Sequence, residues 1–200
     1  ERSFTYWRDH SAARQLFQGP NGPNFESLNK FDVIYLSGIT LAILPNEIRN
    51  ALLCYLKKSE HILAFDSNYR SSLWATPIEA KNVMQKFWER TDIALPSVDD
   101  EMLMWSQSAE EVISRFKALG GDGAIKRGRC GPLSLSPIDQ KVLNFPPAPK
   151  VVDTTAAGDS FNGAYLGARL RGKTQEQALK AGHLCASQVV QYPGAIIPHF

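Results

Sequence analysis

Cysteine is too scarce and too scattered in this chain to build a scaffold. Cys54, Cys130 and Cys185 are an odd number with no C-x-x-C pair, which excludes a disulfide framework and fits reduced thiols. The four histidines, His10, His61, His183 and His199, lie far apart with no H-E-x-x-H spacing, so a zinc site built from the chain is not expected. Charge of one sign is also missing. Twenty-two Lys and Arg against 20 Asp and Glu leave a net charge of +2, and the arginines form no aromatic-laced stripe, so neither nucleic acid nor a membrane surface is an expected partner. No apolar run approaches the roughly 20 residues of a membrane span, and the first residues do not read as a signal peptide.

What is present is an ordinary globular composition, 44% hydrophobic over 200 residues, enough for one domain with a sizeable core. The start, Glu1-Arg2-Ser3-Phe4-Thr5-Tyr6-Trp7-Arg8, alternates like the middle of a strand and carries no initiator Met, so the chain reads as N-terminally truncated. A turn cluster at 18–24 precedes a buried strand at 31–37. Helix 45–58, strand 61–66, helix 77–90 (opened by Thr76 and Pro77), strand 92–95 and helix 109–119 (closed by Gly120-Gly121) follow. A short strand is expected at 124–126, a hairpin-like polar excursion over 132–150, and two closing helices at 158–171 and 175–190. Thr174 and Gln177 form a capping box for the last. Strands alternating with helices predict an α/β fold with a mostly parallel sheet, helices on both faces and a ligand site at the carboxyl ends of the strands.

The stretch Asp153-Thr154-Thr155-Ala156-Ala157-Gly158-Asp159-Ser160-Phe161-Asn162-Gly163-Ala164 is the most informative. Small residues at a helix start let backbone amides approach a phosphoryl group, and the dipole end favours an anion. Asp159 sits beside that cradle, where a carboxylate could take a proton from an alcohol. These residues resemble the second signature of the PfkB (ribokinase-like) sugar kinases. The resemblance implies a ribokinase-like, Rossmann-type three-layer sandwich lacking its N-terminal part and most of its lid. Residues 1–14 would be a lid remnant and 31–200 the α/β core of a single kinase domain. It implies Asp159 as catalytic base and Ala156, Ala157 and Gly158 as anion hole, with ATP as donor and Mg²⁺ as cofactor.

Other segments extend the resemblance. Lys126-Arg127-Gly128-Arg129-Cys130-Gly131 has the form K-x-G-x-x-G. It is similar to the family segment lining the ATP site, which implicates Lys126, Gly128 and Gly131, although a plain hairpin turn reads the same way. Phe65-Asp66-Ser67-Asn68-Tyr69-Arg70 resembles a segment of the 2-keto-3-deoxygluconate kinase subgroup. By that resemblance Asn68 and Arg70 lie near the nucleotide phosphates and Arg70 near the substrate; the two would face one way if extended. Tyr6 and Arg8 resemble the subgroup's Tyr-x-Arg pair for a sugar acid, and an Arg fork suits a carboxylate. Ser97-Val98-Asp99-Asp100-Glu101 stands where the family has Asn-x-x-Glu. Ser97 is placed near ATP, and Asp100 or Glu101 would act on Mg²⁺ through water, with no direct protein ligand to the metal; a cluster of helix-start acids reads equally as dipole partners. His183 stands where the family has a residue near adenine, or is a packed helix histidine.

The subgroup resemblance implies ATP-dependent phosphorylation of 2-dehydro-3-deoxy-D-gluconate at its 6-hydroxyl, in cytoplasmic sugar-acid catabolism feeding the Entner–Doudoroff route. The expected partners are a small sugar acid and, through the lid, a second copy of the chain. A kinase for fructose, ribose or another neutral sugar, or a fragment that only binds nucleotide, is the alternative. One match is set aside. Gly167-Ala168-Arg169-Leu170-Arg171-Gly172-Lys173-Thr174 satisfies G-x-x-x-x-G-K-T, but it lies on a helical pattern rather than after a strand, as a P-loop requires.

Overall fold

Short apolar runs and amphipathic stretches alternate because each strand must be covered by the helix that follows it. The computed structural model describes residues 11–19, 22–137 and 143–198. In order, its elements are β1 (Val33–Ser37), α1 (Gly38–Ile43), α2 (Asn46–Lys58), β2 (Ile62–Asp66), α3 (Pro77–Trp88), β3 (Ile93–Leu95), α4 (Val98–Trp105), α5 (Ala109–Leu119), β4 (Asp122–Ile125), β5 (Leu133–Ser134), α6 (Ala157–Leu170) and α7 (Gln175–Val189). Strands β1 to β4 are parallel and lie side by side in chain order, and β5 adds antiparallel to β4. The register sets Ser37 beside Asp66 and Asp66 beside Leu95, so three strand ends share one edge of the sheet.

Side-chain alternation splits the core in two. Ile34, Leu36, Leu63 and Phe65 face α2, α3 and α5 through Leu52, Leu56, Met84, Phe87, Val112 and Phe116. Leu95 and Ala124 face the other way, against Phe161 and Tyr165 of α6 and Leu179 of α7. Helices therefore cover both faces, as the alternation predicts. Each fully buried Leu or Phe here contributes about 1.5–3 kcal/mol. Two glycines permit close approaches. A Cβ on Gly123 would stand 1.9 Å from the Ala94 carbonyl oxygen, and one on Gly38 would stand 2.0 Å from that of Ser67.

Local capping explains the boundaries. Thr76 accepts the Glu79 N–H with Pro77 at the first turn of α3, and Thr174 with Gln177 forms the expected capping box on α7. Two helices go beyond the sequence pattern. α1 carries Gly38, Ile39 and Thr40, poor helix formers, and is held by a Ser37–Thr40 capping box. α4 is eight residues long, too short for periodicity to reveal, and is capped by Ser97. The strand expected at 124–126 lies at Asp122–Ile125, and in the excursion over 132–150 only Leu133–Ser134 is strand among the described residues. Val151 and Val152 stay outside the sheet, with the Val152 N–H bonded to the Val190 carbonyl at 2.7 Å. The G-x-x-x-x-G-K-T match runs from within α6, through Gly172 at φ +72°, to the cap of α7.

Candidate active site

The turn before α6 is shaped by a buried carboxylate. Asp153 accepts the Thr155 N–H at 2.8 Å and the Gly194 N–H at 2.7 Å, which ties this turn to the segment after α7. Ala156 then takes a left-handed conformation, φ +59°, and α6 begins at Ala157 without a side-chain cap. The Ala157 N–H bonds the Thr154 carbonyl at 3.2 Å and the Ser160 N–H that of Ala156 at 2.8 Å. The N–H groups of Ala156, Gly158 and Asp159 have no hydrogen-bond partner among the described residues. A helix start with three unspent donors is an anion cradle, and Asp159 is exposed at its lip.

Beside the cradle lies a charged cluster made by the strand ends. Lys126, just past β4, donates from Nζ to Asp66 Oδ1 at 2.7 Å and to Asn162 Oδ1 at 3.1 Å. Asn162 Nδ2 donates to Asp66 Oδ2 at 2.8 Å and to the Tyr35 hydroxyl at 3.0 Å, and that hydroxyl donates to Asp66 Oδ2 at 3.2 Å. Burial pushes the Tyr35 hydroxyl well above the usual phenol range, and the charges of Asp66 and, further down, Asp159 add to it. Tyr35 is therefore a fixed donor, and the charge of Asp159 reaches the cluster. Lys126 also flanks the cradle, since a Cβ on Gly158 would stand 3.9 Å from its Nζ.

The two acids after β3 part company. Glu101 is fully buried, accepting from the Ser67 hydroxyl at 2.7 Å and from Arg115 at 2.7 Å. Burial raises its carboxyl despite both partners. Its charge is committed to the core. Asp100 faces the strand ends. It accepts the Tyr69 N–H at 3.1 Å and lies 3.7 Å from Arg70 Nη1. Burial pushes its carboxyl up to about 6, against the opposing effects of Arg70 and Tyr69, and it senses both Asp66 and Lys126. Ser97 caps α4, and its N–H bonds the Ser67 hydroxyl at 3.2 Å.

The 68–70 segment is not extended as its spacing suggests, because Asn68 stands at φ +31°; Arg70 projects to solvent and donates to the Tyr69 carbonyl. The K-x-G-x-x-G loop is a true hairpin turn between β4 and β5, with Gly128 at φ +51° and Gly131 at φ +72°. Arg127 donates to the Gly131 carbonyl at 3.0 Å and closes the loop. A Cβ on Gly131 would strike the Phe145 side chain at 2.6 Å, and the Phe145 ring in turn lies tilted against that of His183, with centroids 5.0 Å apart. The His183 Nε2 lies 2.8 Å from the Pro146 carbonyl, so this histidine ties α7 to the segment over the hairpin. Tyr6 and Arg8 lie outside the described residues.

Asp66, Asn162 and Tyr35 escape reasoning from sequence. The first two sit inside quoted motifs without an assigned part, and Tyr35 reads only as a strand residue. Their common signal, a polar residue at or near a strand end or on an apolar helix face, is visible only once β1, β2 and α6 are brought together. A surface cavity of about 480 Å³ at the other end of the sheet, lined by Phe31, Asp32, His61 and Ile62 among others, lies at the amino ends of β1 and β2 and touches none of these groups.

Comparison with known proteins agrees with this arrangement. The 2-dehydro-3-deoxygluconokinase of Escherichia coli K12 is 43% identical over 99% of the chain and 67% of its own length, and that of Dickeya dadantii is 42% identical over the same shares. Aminoimidazole riboside kinase from Salmonella enterica, solved with aminoimidazole riboside and an ATP analog, superposes with a TM-score of 0.71 at 25% identity, covering 82% of this chain and 57% of that one. The chain thus spans about two thirds of these curated relatives and little more than half of that solved structure. A profile of the pfkB family carbohydrate kinases matches residues 1–199, and with a ribokinase-like sheet, an uncapped small-residue helix start and an acid at its lip, the chain belongs to that family.

Proposed function

We propose that the chain is the nucleotide-handling and base-bearing part of a 2-dehydro-3-deoxygluconokinase, transferring the ATP γ-phosphoryl to the 6-hydroxyl of 2-dehydro-3-deoxy-D-gluconate. One observation carries the chemistry. The N–H groups of Ala156, Gly158 and Asp159 have no partner among the described residues, at a helix start that carries the exposed Asp159 carboxylate and has the Lys126 ammonium beside Gly158. The substrate is supported by the 43% identity to the E. coli enzyme.

Asp159 takes the proton of the acceptor hydroxyl as its oxygen bonds to phosphorus. The bond to the bridging oxygen breaks, and ADP leaves with that bond's electrons. The amides of the cradle stabilise the charge on the moving phosphoryl oxygens. Lys126, Gly128 and Gly131 line the nucleotide side of the sheet edge, with His183 behind Phe145, and Ser97, Asn68 and Arg70 border the phosphates. Asp100 fits a divalent cation, because it is a carboxylate beside the strand ends whose ion pair with Arg70 is loose, at 3.7 Å. It would hold Mg²⁺ through water, while Glu101 is spent on Arg115. Mg²⁺ bound there would neutralise phosphate charge. Tyr6 and Arg8 would clamp the sugar acid's carboxylate.

The test compares phosphorylation of 2-dehydro-3-deoxy-D-gluconate, fructose and ribose by the full-length protein. Preference for the sugar acid is expected of the full-length protein. Preference for a neutral sugar overturns the substrate, and absence of any phosphorylation by the full-length protein overturns the activity.

A further inference from the structure

A closed ring of three side chains joins the sheet to the second turn of α6. Asp66 ends β2 and is 3% exposed, yet both its oxygens are used, one by Lys126 and the other by Asn162 and Tyr35. The Lys126–Asn162 bond closes the ring at 3.1 Å. Asn162 is four residues beyond Gly158 and thus on the same helix face. An ammonium has three protons. Two are spent in the ring, the third has no partner among the described residues, and Nζ stands at Gly158. A buried ion pair of this kind adds little stability over apolar residues of equal volume. It can, however, set the rotation of a helix about its axis and aim a cation, which an apolar contact cannot.

We propose that Asp66 is a positioning residue for phosphoryl transfer, acting through Lys126 and Asn162 to hold the first two turns of α6 and aim the Lys126 ammonium at the anion cradle. The catalytic part of this statement rests on the kinase reading above; the structural part does not. Asp66 touches neither reactant, and its effect passes through two side chains that meet the cradle and its helix.

The test uses the full-length protein with Asp66→Asn, Lys126→Met, the double variant and Asn162→Ser, followed by hydrogen–deuterium exchange and by steady-state kinetics. Asp66→Asn and Asn162→Ser are each expected to speed exchange in peptides covering 154–162 several-fold, with β3 and α3 unchanged. Asp66→Asn is expected to lower kcat by about 10- to 100-fold, with KM for ATP nearly constant, and the double variant to be no slower than Lys126→Met alone. Exchange that rises evenly along the sheet, or rate losses that multiply in the double variant, overturns the proposal in favour of a purely structural pair. If Asp66→Asn does not fold, Asn162→Ser carries the exchange arm alone, and unchanged exchange at 154–162 overturns it. Absence of phosphorylation by the parent protein sinks the kinase reading, while the exchange arm still decides whether the ring holds α6.

Discussion

Asp159 is exposed at the cradle's lip while the amides of Ala156 and Gly158 have no partner among the described residues, so its carboxylate would be available for the proposed proton transfer. Asp159→Asn in the full-length protein should therefore cut kcat by about 10²- to 10⁴-fold and leave ATP binding, measured by calorimetry, within a few-fold of the parent. Asp100 is the opposite case, a carboxylate the fold holds at some cost. Its ordinary value of 3.8 is pushed up to about 6, first by burial. The folded state thus binds its proton more tightly than the unfolded state does. The stability this provides is complete below pH 3.8 and is lost as pH rises through about 6. Asp100→Asn should stabilise the metal-free protein at pH 7.5, by up to about 3 kcal/mol, seen as a raised thermal midpoint, and leave the midpoint nearly unchanged at pH 4. A midpoint that falls at pH 7.5 would show that the bonds to Tyr69 and Arg70 outweigh the burial.

Elements place these residues. Parallel pairing of β1 to β4 brings Ser37, Asp66 and Lys126 to one edge, and it depends on Gly123 lying against the Ala94 carbonyl at φ +138°. Gly123→Ala should lower stability by several kcal/mol, on the order of the largest single-site effects, and a denaturant melt with an unchanged midpoint would refute that packing. The α6–α7 connection carries the P-loop look-alike, yet Lys173 lies between a helix end and the cap at Thr174. Lys173→Ala should leave nucleotide affinity unchanged in a direct binding measurement, whereas a P-loop lysine would lose it. Most elements were legible because their periodicity and caps are local: Thr76 with Pro77, Thr174 with Gln177, and the apolar faces of α2, α3 and α5. α1 and α4 were not, since their short lengths and modest propensities leave tertiary contacts to stabilise them.

At the scale of the whole molecule, a pfkB-family relative half as long again as this chain acts on 2-dehydro-3-deoxygluconate, and the fork of Arg8 would serve the carboxylate that distinguishes such a substrate. Arg8→Ala in the full-length protein should raise KM for the sugar acid at least 10-fold, a loss in line with one charge-assisted pair, with KM for ATP unchanged; equal rises in both would remove Arg8 from the clamp. Family, sheet class and the Asp159 motif were determined by sequence alone, because a helix start, its small residues and its acid are contiguous and their chemistry is local. Which of two adjacent acids faces the strand ends, the positive φ at Asn68 and the cluster of Asp66, Lys126, Asn162 and Tyr35 were decided only by tertiary structure. Those features depend on side chains up to 127 residues apart meeting across the sheet edge, and no spacing along the chain encodes which face of a strand end a helix will cover.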